Sequence, residues 1–187
     1  MYPHVPVVLR RFNEDFPGVK VTLISSLSEV LLEKFYAGEV DAIITTEYGV
    51  GQQGETIETR PLVWVGALGG RAWKRRPVPL AFERRCAFRR RTQDALEQAG
   101  LGWVSATETD FLDAAVATIA ADLAVCTLLK GQASLNLEEI DHGDTLPELP
   151  ALNINLYAAS ATHNPLAARL ADYVRTAFQS PPAIRAA

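Results

Sequence analysis

The sequence predicts an α/β protein built as two lobes, and three observations carry that expectation. Strand-like runs alternate with helical patterns of about 10 to 15 residues, the rhythm of βαβ units with largely parallel sheets. These units fall into two clusters rather than one, with the glycine-rich "GALGG" (66–70) after the first. A single strand-like segment, "NINLYAA" (153–159), follows the second cluster, so the chain is expected to cross out of the first lobe and return. The expected boundaries are 1–68 with 157–187 for lobe I, and 69–156 for lobe II.

Each element has a local signal. Pro6 suits a first helical turn, and Val8, Leu9, Phe12 and Phe16 follow at helical spacing until "FPG". "VKVTLI" (19–24) alternates like a strand with one buried face. Ser26 and Glu29 have the spacing of a capping box, and Leu27, Val30, Leu31 and Phe35 make one apolar stripe ending at Gly38. "DAIITT" (41–46), "PLVWVGAL" (61–68), "VPLAF" (78–82) and "GWVSA" (102–106) read as strands. A helix over 86–100 closes at Gly100, and another over 110–122 follows Thr107 and Thr109. "LAVCTLL" (123–129) and "LNINLYAA" (152–159) are further strands, separated by the polar, proline-containing "DHGDTLPELP". Asn164 and Pro165 form a cap and first turn for the last helix, and the tail 180–187 is expected to be disordered.

The bulk numbers narrow the function classes. A chain of 187 residues that is 48 % hydrophobic buries a substantial core, and a net charge of −4 disfavours nonspecific nucleic-acid binding by the whole molecule. Two cysteines, Cys86 and Cys126, are too few for a disulfide scaffold and fit a reducing compartment. No apolar run has the roughly 18 residues that a bilayer span needs, and the first residues do not resemble a signal peptide. The expectation is a cytoplasmic protein without a membrane partner.

Several motifs are decoys. "GVGQQG" (49–54) matches G-x-G-x-x-G, but no helix follows to hold a pyrophosphate, so it reads as a flexible surface loop. Residues 71–91 hold nine of the eighteen basic residues, on a loop and the outer face of a helix, as a solvated surface does. The cysteines and the three histidines lack metal-ligand spacing, so no metal and no cofactor is expected. Asp41 and Glu47 straddle a strand without a partner base, which reads as a solvated strand end. No catalytic elbow, zinc-protease or phosphate-loop motif occurs, and no enzyme is expected.

A binding site is the better expectation. In open α/β sheets, ligands lie beyond the carboxyl ends of strands, where helix amino ends offer N–H groups to anions. Ser25, Ser26 and Ser28 precede a helix, and Thr45 and Thr46 end the next strand. Cys86, Phe88 and Arg89 begin a helix in the second cluster, and Thr107 and Thr109 lead into another. Each hydroxyl taken singly is also an ordinary helix cap.

These patterns together resemble a known family. "PVVLRRFNEDFPGVKVTLISSLSEVLLEKFYAGEVDAIITT" (6–46), "RPLVWVGAL" (60–68), "AADLAVCTLL" (120–129) and "LPELPALNINLYA" (146–158) follow, in order and spacing, the effector-binding domain of LysR-type transcriptional regulators. "CAFRR", "ADLAV" and "LPELP" are most similar to its LrhA, HexA and PecT branch. The resemblance implies an α/β fold of the two-lobed periplasmic-binding-protein-like type II class, with two crossover strands and a small effector in the inter-lobe cleft. It implies effector contacts at Ser25, Ser26, Ser28, Thr45 and Thr46 from one lobe. Cys86, Phe88, Arg89, Thr107 and Thr109 are the implied contacts from the other. Self-association into a dimer or tetramer and DNA binding through an amino-terminal winged helix-turn-helix are implied too, while the helix ends and Arg89 point to an anionic or aromatic effector. That DNA-binding domain is not in this sequence, nor is the first strand of the family's effector domain. Asp122 stands where the family has glycine. A free-standing solute-binding protein of the same fold is the alternative.

Overall fold

The computed structural model describes residues 4–179, and the expected disorder of 180–187 lies outside them. By compactness the chain divides into two units. One takes in the chain up to Thr59 and again from Asn153, and the other is Arg60–Leu152. Both crossings fall inside strands, β2 (Gly54–Ala67) and β7 (Ala151–Ala158).

The first unit holds α1 (Val5–Asp15), α2 (Ser28–Tyr36), β1 (Ala42–Glu47), the first half of β2, most of β7, and α5 (Pro165–Gln179). Its strand order is β1–β7–β2, and β1 pairs antiparallel with β7, Thr45 opposite Asn155. Alternation along β1 sends Ile43 to one layer, with Leu31, Phe35 and Tyr157, and Ile44 to the other, with Val8, Leu156, Ala171 and Val174. Helix ends follow local chemistry. Asn164 accepts from the Leu166 and Ala167 N–H groups at 3.1 Å, capping α5. Gly38 turns left-handed at φ +74°, so that Glu39 N–H reaches back to the Lys34 carbonyl.

Two local expectations fail here. Residues 19–27 form no strand, and Val21, Leu23 and Ile24 are 39, 57 and 45 % exposed. Alternation tells which side chains would share a face, but a ladder needs a neighbouring chain, and no described segment pairs with this one. β1 is the outer strand of its sheet, and its Thr46 N–H meets the Ser28 hydroxyl at 3.1 Å in place of a strand carbonyl. The Ser26–Glu29 capping box does not form either. α2 starts at Ser28 behind Leu27, which has no side chain to accept a helix N–H.

The second unit contains the rest of β2, β3 (Val78–Leu80), α3 (Ala87–Gln98), β4 (Trp103–Ser105), α4 (Leu112–Ala120), β5 (Cys126–Leu129) and β6 (Leu137–Glu139). β3 and β4 pair in parallel across α3, and Leu80 bridges in parallel to Val125. β2, however, pairs antiparallel with both β5 and β6. The expectation of largely parallel sheets therefore holds only where a helix carries the chain over; strands that enter from or return to the other unit run the opposite way. The core gathers Val65, Val78, Leu80, Leu96, Ile119 and Val125. α3 is also tied to β5 by a hydroxyl relay. Thr92 donates to the Phe88 carbonyl, so across the 2.7 Å Thr92–Thr127 contact it is Thr127 that donates.

Asp122 follows α4 in the left-handed region at φ +55°. One of its carboxylate oxygens accepts the Arg71 and Ala72 N–H groups, each at 2.8 Å, where a 3₁₀ turn begins. Burial opposes its ionisation, but those two N–H donors and the Arg75 and Arg71 charges outweigh it, so the carboxyl titrates below the ordinary aspartate range. A folded-state pKa lower than the unfolded one adds stability that is complete above the unfolded value and disappears as pH falls through the folded one. Asp122→Asn is expected to remove that part of the acid-side loss in urea midpoints measured from pH 5 down to about pH 2. A parallel pair of profiles would show that the turn needs no charge.

Candidate functional site

In the first unit the structure separates the five expected contacts. Ser25 and Ser26 are exposed on the extended segment ahead of α2. Ser28 and Thr46 are joined through the hydroxyl-to-N–H bond that ties α2 to the outer strand. Thr45 points the other way, as strand alternation requires, and is only 1 % exposed. Its hydroxyl donates to Glu47 at 2.5 Å, so that group is already taken up inside the unit.

Glu47 is the centre of a polar cluster that sequence reading missed. One of its oxygens accepts from Thr45, from the Asn155 amide at 2.9 Å and from the Tyr157 hydroxyl at 3.1 Å. Asn155, fully buried, also donates to the Gly49 carbonyl at 2.6 Å and accepts from the Thr56 hydroxyl at 2.8 Å, so both of its N–H donors are used. Tyr157 accepts the Gly51 N–H at 2.7 Å. Burial pushes the Tyr157 phenol up; the Gly51 N–H opposes this, and the Glu47 carboxylate reinforces it, so the hydroxyl keeps its proton and donates.

Two readings are thereby corrected. Glu47 is not a solvated strand end, whereas Asp41 is exposed, as expected, and accepts from the Asn164 amide at 2.8 Å. The 49–54 loop lies at the surface, as expected, but is tied down through Gly49, Gly51 and the Tyr36-to-Gln52 bond. No signal in the sequence pairs Glu47 with positions more than a hundred residues away.

In the second unit the expected contacts do come together, on the segment that links β3 to α3. Thr107 donates to the Phe82 carbonyl at 3.2 Å, and the Arg84 N–H donates to the Thr109 carbonyl at 2.9 Å. Cys86 N–H closes back on the Glu83 carbonyl at 3.2 Å, and α3 begins at once, with Phe88 and Arg89 in its first turn. The Thr109 hydroxyl and the Phe111 backbone hold each other, which leaves the Phe111 ring exposed beside α4. Burial pushes the Cys86 thiol up, against the N–H groups of Phe88 and Arg89 and the Arg89 charge, so it is a neutral thiol at neutral pH. Cys126 behind it is buried and pushed up further, chiefly by burial. Glu83 was missed from the sequence, although it ends the "VPLAFE" run at the carboxyl side of a strand, where the other candidates were sought.

Chemically, the second unit places cationic, acidic and hydroxyl side chains near the start of α3, groups of the kind that hold a small polar molecule. Among the described residues, no group of acidic, histidine or cysteine side chains is placed to bind a metal ion, and no helix is long and apolar enough to cross a membrane.

Comparison with known proteins agrees with this architecture. The LysR substrate binding domain model matches residues 2–179. The regulatory domain of Synechocystis PCC6803 CcmR in complex with 2-PG superposes with a TM-score of 0.73 at 17 % identity, over 96 % of this chain and 93 % of that one. The C-terminal domain of a probable LysR family transcriptional regulator from Rhodococcus sp. RHA1 gives 0.69 at 17 %, over 91 % of each. Full-length CbnR complexed with its target DNA gives 0.63 at 18 %, over 94 % of this chain but 66 % of that one, so the chain spans about two thirds of a full-length relative. No curated protein matches the chain in sequence.

Proposed function

The chain belongs to the LysR substrate-binding domain family, and from that premise we propose that it senses a small effector for a cytoplasmic LysR-type regulator that binds DNA through a separate domain and self-associates. The family match over residues 2–179 carries this reading. The effector is bound, not transformed. It acts by differential affinity, favouring one arrangement of the regulator over another and so altering how the attached DNA-binding domains engage their site. In the second unit, Arg89 receives the anionic part of the effector, and Phe88 and the Phe111 ring cover its apolar part. Thr45 of the first unit, taken up by Glu47, shapes its strand from within. A free-standing carrier has no observation in its favour.

The CcmR regulatory domain is found in complex with 2-PG, which makes 2-PG a natural first probe beside simple carboxylates. A binding acid at a hundredfold excess over its Kd adds about 2.7 kcal/mol, raising the melting temperature by roughly 5 to 10 °C for a chain of this size. Arg89→Gln is expected to cut that rise by more than half and to leave the unliganded melting temperature unchanged. Equal rises in both proteins would remove Arg89 from the site. No rise with any small anion would overturn the anionic-effector reading.

A further inference from the structure

Phe88, Thr92 and Leu96 stand four residues apart along α3, on the stripe that faces the core of the second unit. Phe88 packs against that core, and Thr92 and Leu96 are both fully buried. The middle position of an apolar stripe is thus a hydroxyl. The strand residue it meets, Thr127 of β5, is a second hydroxyl with no exposure. The two oxygens are 2.7 Å apart, and Thr92 lies 2.9 Å from the Phe88 carbonyl. Both protons are therefore committed in one direction, from Thr127 to Thr92 and from Thr92 to Phe88.

A threonine that bonds back to the carbonyl four residues earlier is ordinary within a helix. Its continuation to a buried hydroxyl on another element is not needed for packing, because two valines would fill the same space and leave no polar group to desolvate. What a valine pair lacks is direction. Apolar contact tolerates a small slide or rotation of a helix over a strand, whereas two hydrogen bonds in series hold at one register. Thr127 is itself fixed, opposite Trp64 in the ladder of β2 and β5. The far end of the relay is the Phe88 carbonyl, in the same first turn as Arg89, whose N–H meets the Cys86 carbonyl at 3.2 Å.

We propose that Thr127 is a positioning residue of the effector site: acting through Thr92, it sets the first turn of α3 on β5 and so fixes how Phe88 and Arg89 are presented. This rests on the proposed effector-sensing role and adds how the α3 residues of that site are held.

Two substitutions separate positioning from stability. Thr127→Val keeps the shape and leaves Thr92 bonded to Phe88, so its melting temperature is expected to stay close to the parent's. Thr127→Ser keeps the hydroxyl but loses a buried methyl, and is expected to melt lower than both. The readout is the rate at which dithionitrobenzoic acid modifies Cys86, the half-buried thiol at the head of α3, with the modified cysteine identified by peptide mass because Cys126 is buried nearby. Thr127→Val is expected to react about fivefold or more faster than the parent, as a turn cut loose from its strand opens more often. Thr127→Ser is expected to react at the parent's rate. A role in stability alone would reverse that order, with the less stable serine variant reacting faster. The reversed order, or equal rates in the parent and Thr127→Val, overturns the proposal. Calorimetric titration with 2-PG tests the effector reading separately. A parent that binds 2-PG is expected to lose about fivefold in affinity as Thr127→Val and nothing as Thr127→Ser; equal affinity in the valine variant also overturns the proposal. A parent that binds neither 2-PG nor a simple carboxylate sinks the anionic-effector reading, and the labelling rates still decide whether Thr127 sets the turn.

Discussion

Gly54→Ala is expected to destabilise the protein by about 3 kcal/mol, the largest loss of any single methyl addition considered. Gly54 opens β2 directly against the wholly buried ring of Tyr157. A Cβ at that position would lie 2.4 Å from one ring carbon and 2.5 Å from another, inside any permissible contact. The ring has no room to retreat, because Phe35 and Tyr36 pack against it at centroid distances of 5.8 and 6.4 Å. Its hydroxyl is held at the same time by Gly51 and Glu47. Equilibrium urea unfolding measures the effect. Pairing the change with Tyr157→Leu, which vacates the space, should recover part of it, whereas additive losses would mean that glycine is needed at 54 for its backbone and not for the ring.

Asn155→Leu is expected to cost a similar amount, about 3 kcal/mol, although it keeps the volume of a fully buried side chain. The amide answers three groups at once: the Glu47 carboxylate, the Gly49 carbonyl and the Thr56 hydroxyl. Leucine leaves all three without that partner, and an apolar replacement of one member of a buried network is the costly case. Removing Thr56 alone, as Thr56→Val, breaks one bond and should cost about 1 kcal/mol. Hydrogen exchange at the Gly51 amide reports the second consequence. It should accelerate in Asn155→Leu as the 49–54 loop loses its tie through Gly49. Unchanged exchange would show that Tyr157 alone holds the loop.

These two sites differ in how far the sequence revealed them. "GVGQQG" invites a nucleotide reading, which the absence of a following helix excludes from local order alone. What the glycines do instead depends on Tyr157, more than a hundred positions later, and on the antiparallel pairing that brings β7 beside β1. The second unit's candidate site was more legible. Cys86, Phe88, Arg89, Thr107 and Thr109 were each marked by a nearby helix start, and the linking segment does gather them.

The sequence by itself determined the succession of strands and helices, the left-handed glycine ends at Gly38 and Gly100, the Asn164 cap and the family to which the chain belongs. Those features are set within one or two turns of chain, where each residue's partners are its near neighbours. Only the tertiary structure decided that 19–24 is not a strand, that Leu27 and not Ser26 precedes α2, and that Glu47 is the centre of a polar cluster. A strand exists only when another segment pairs with it, and a buried charge is satisfied only by groups the fold delivers from elsewhere.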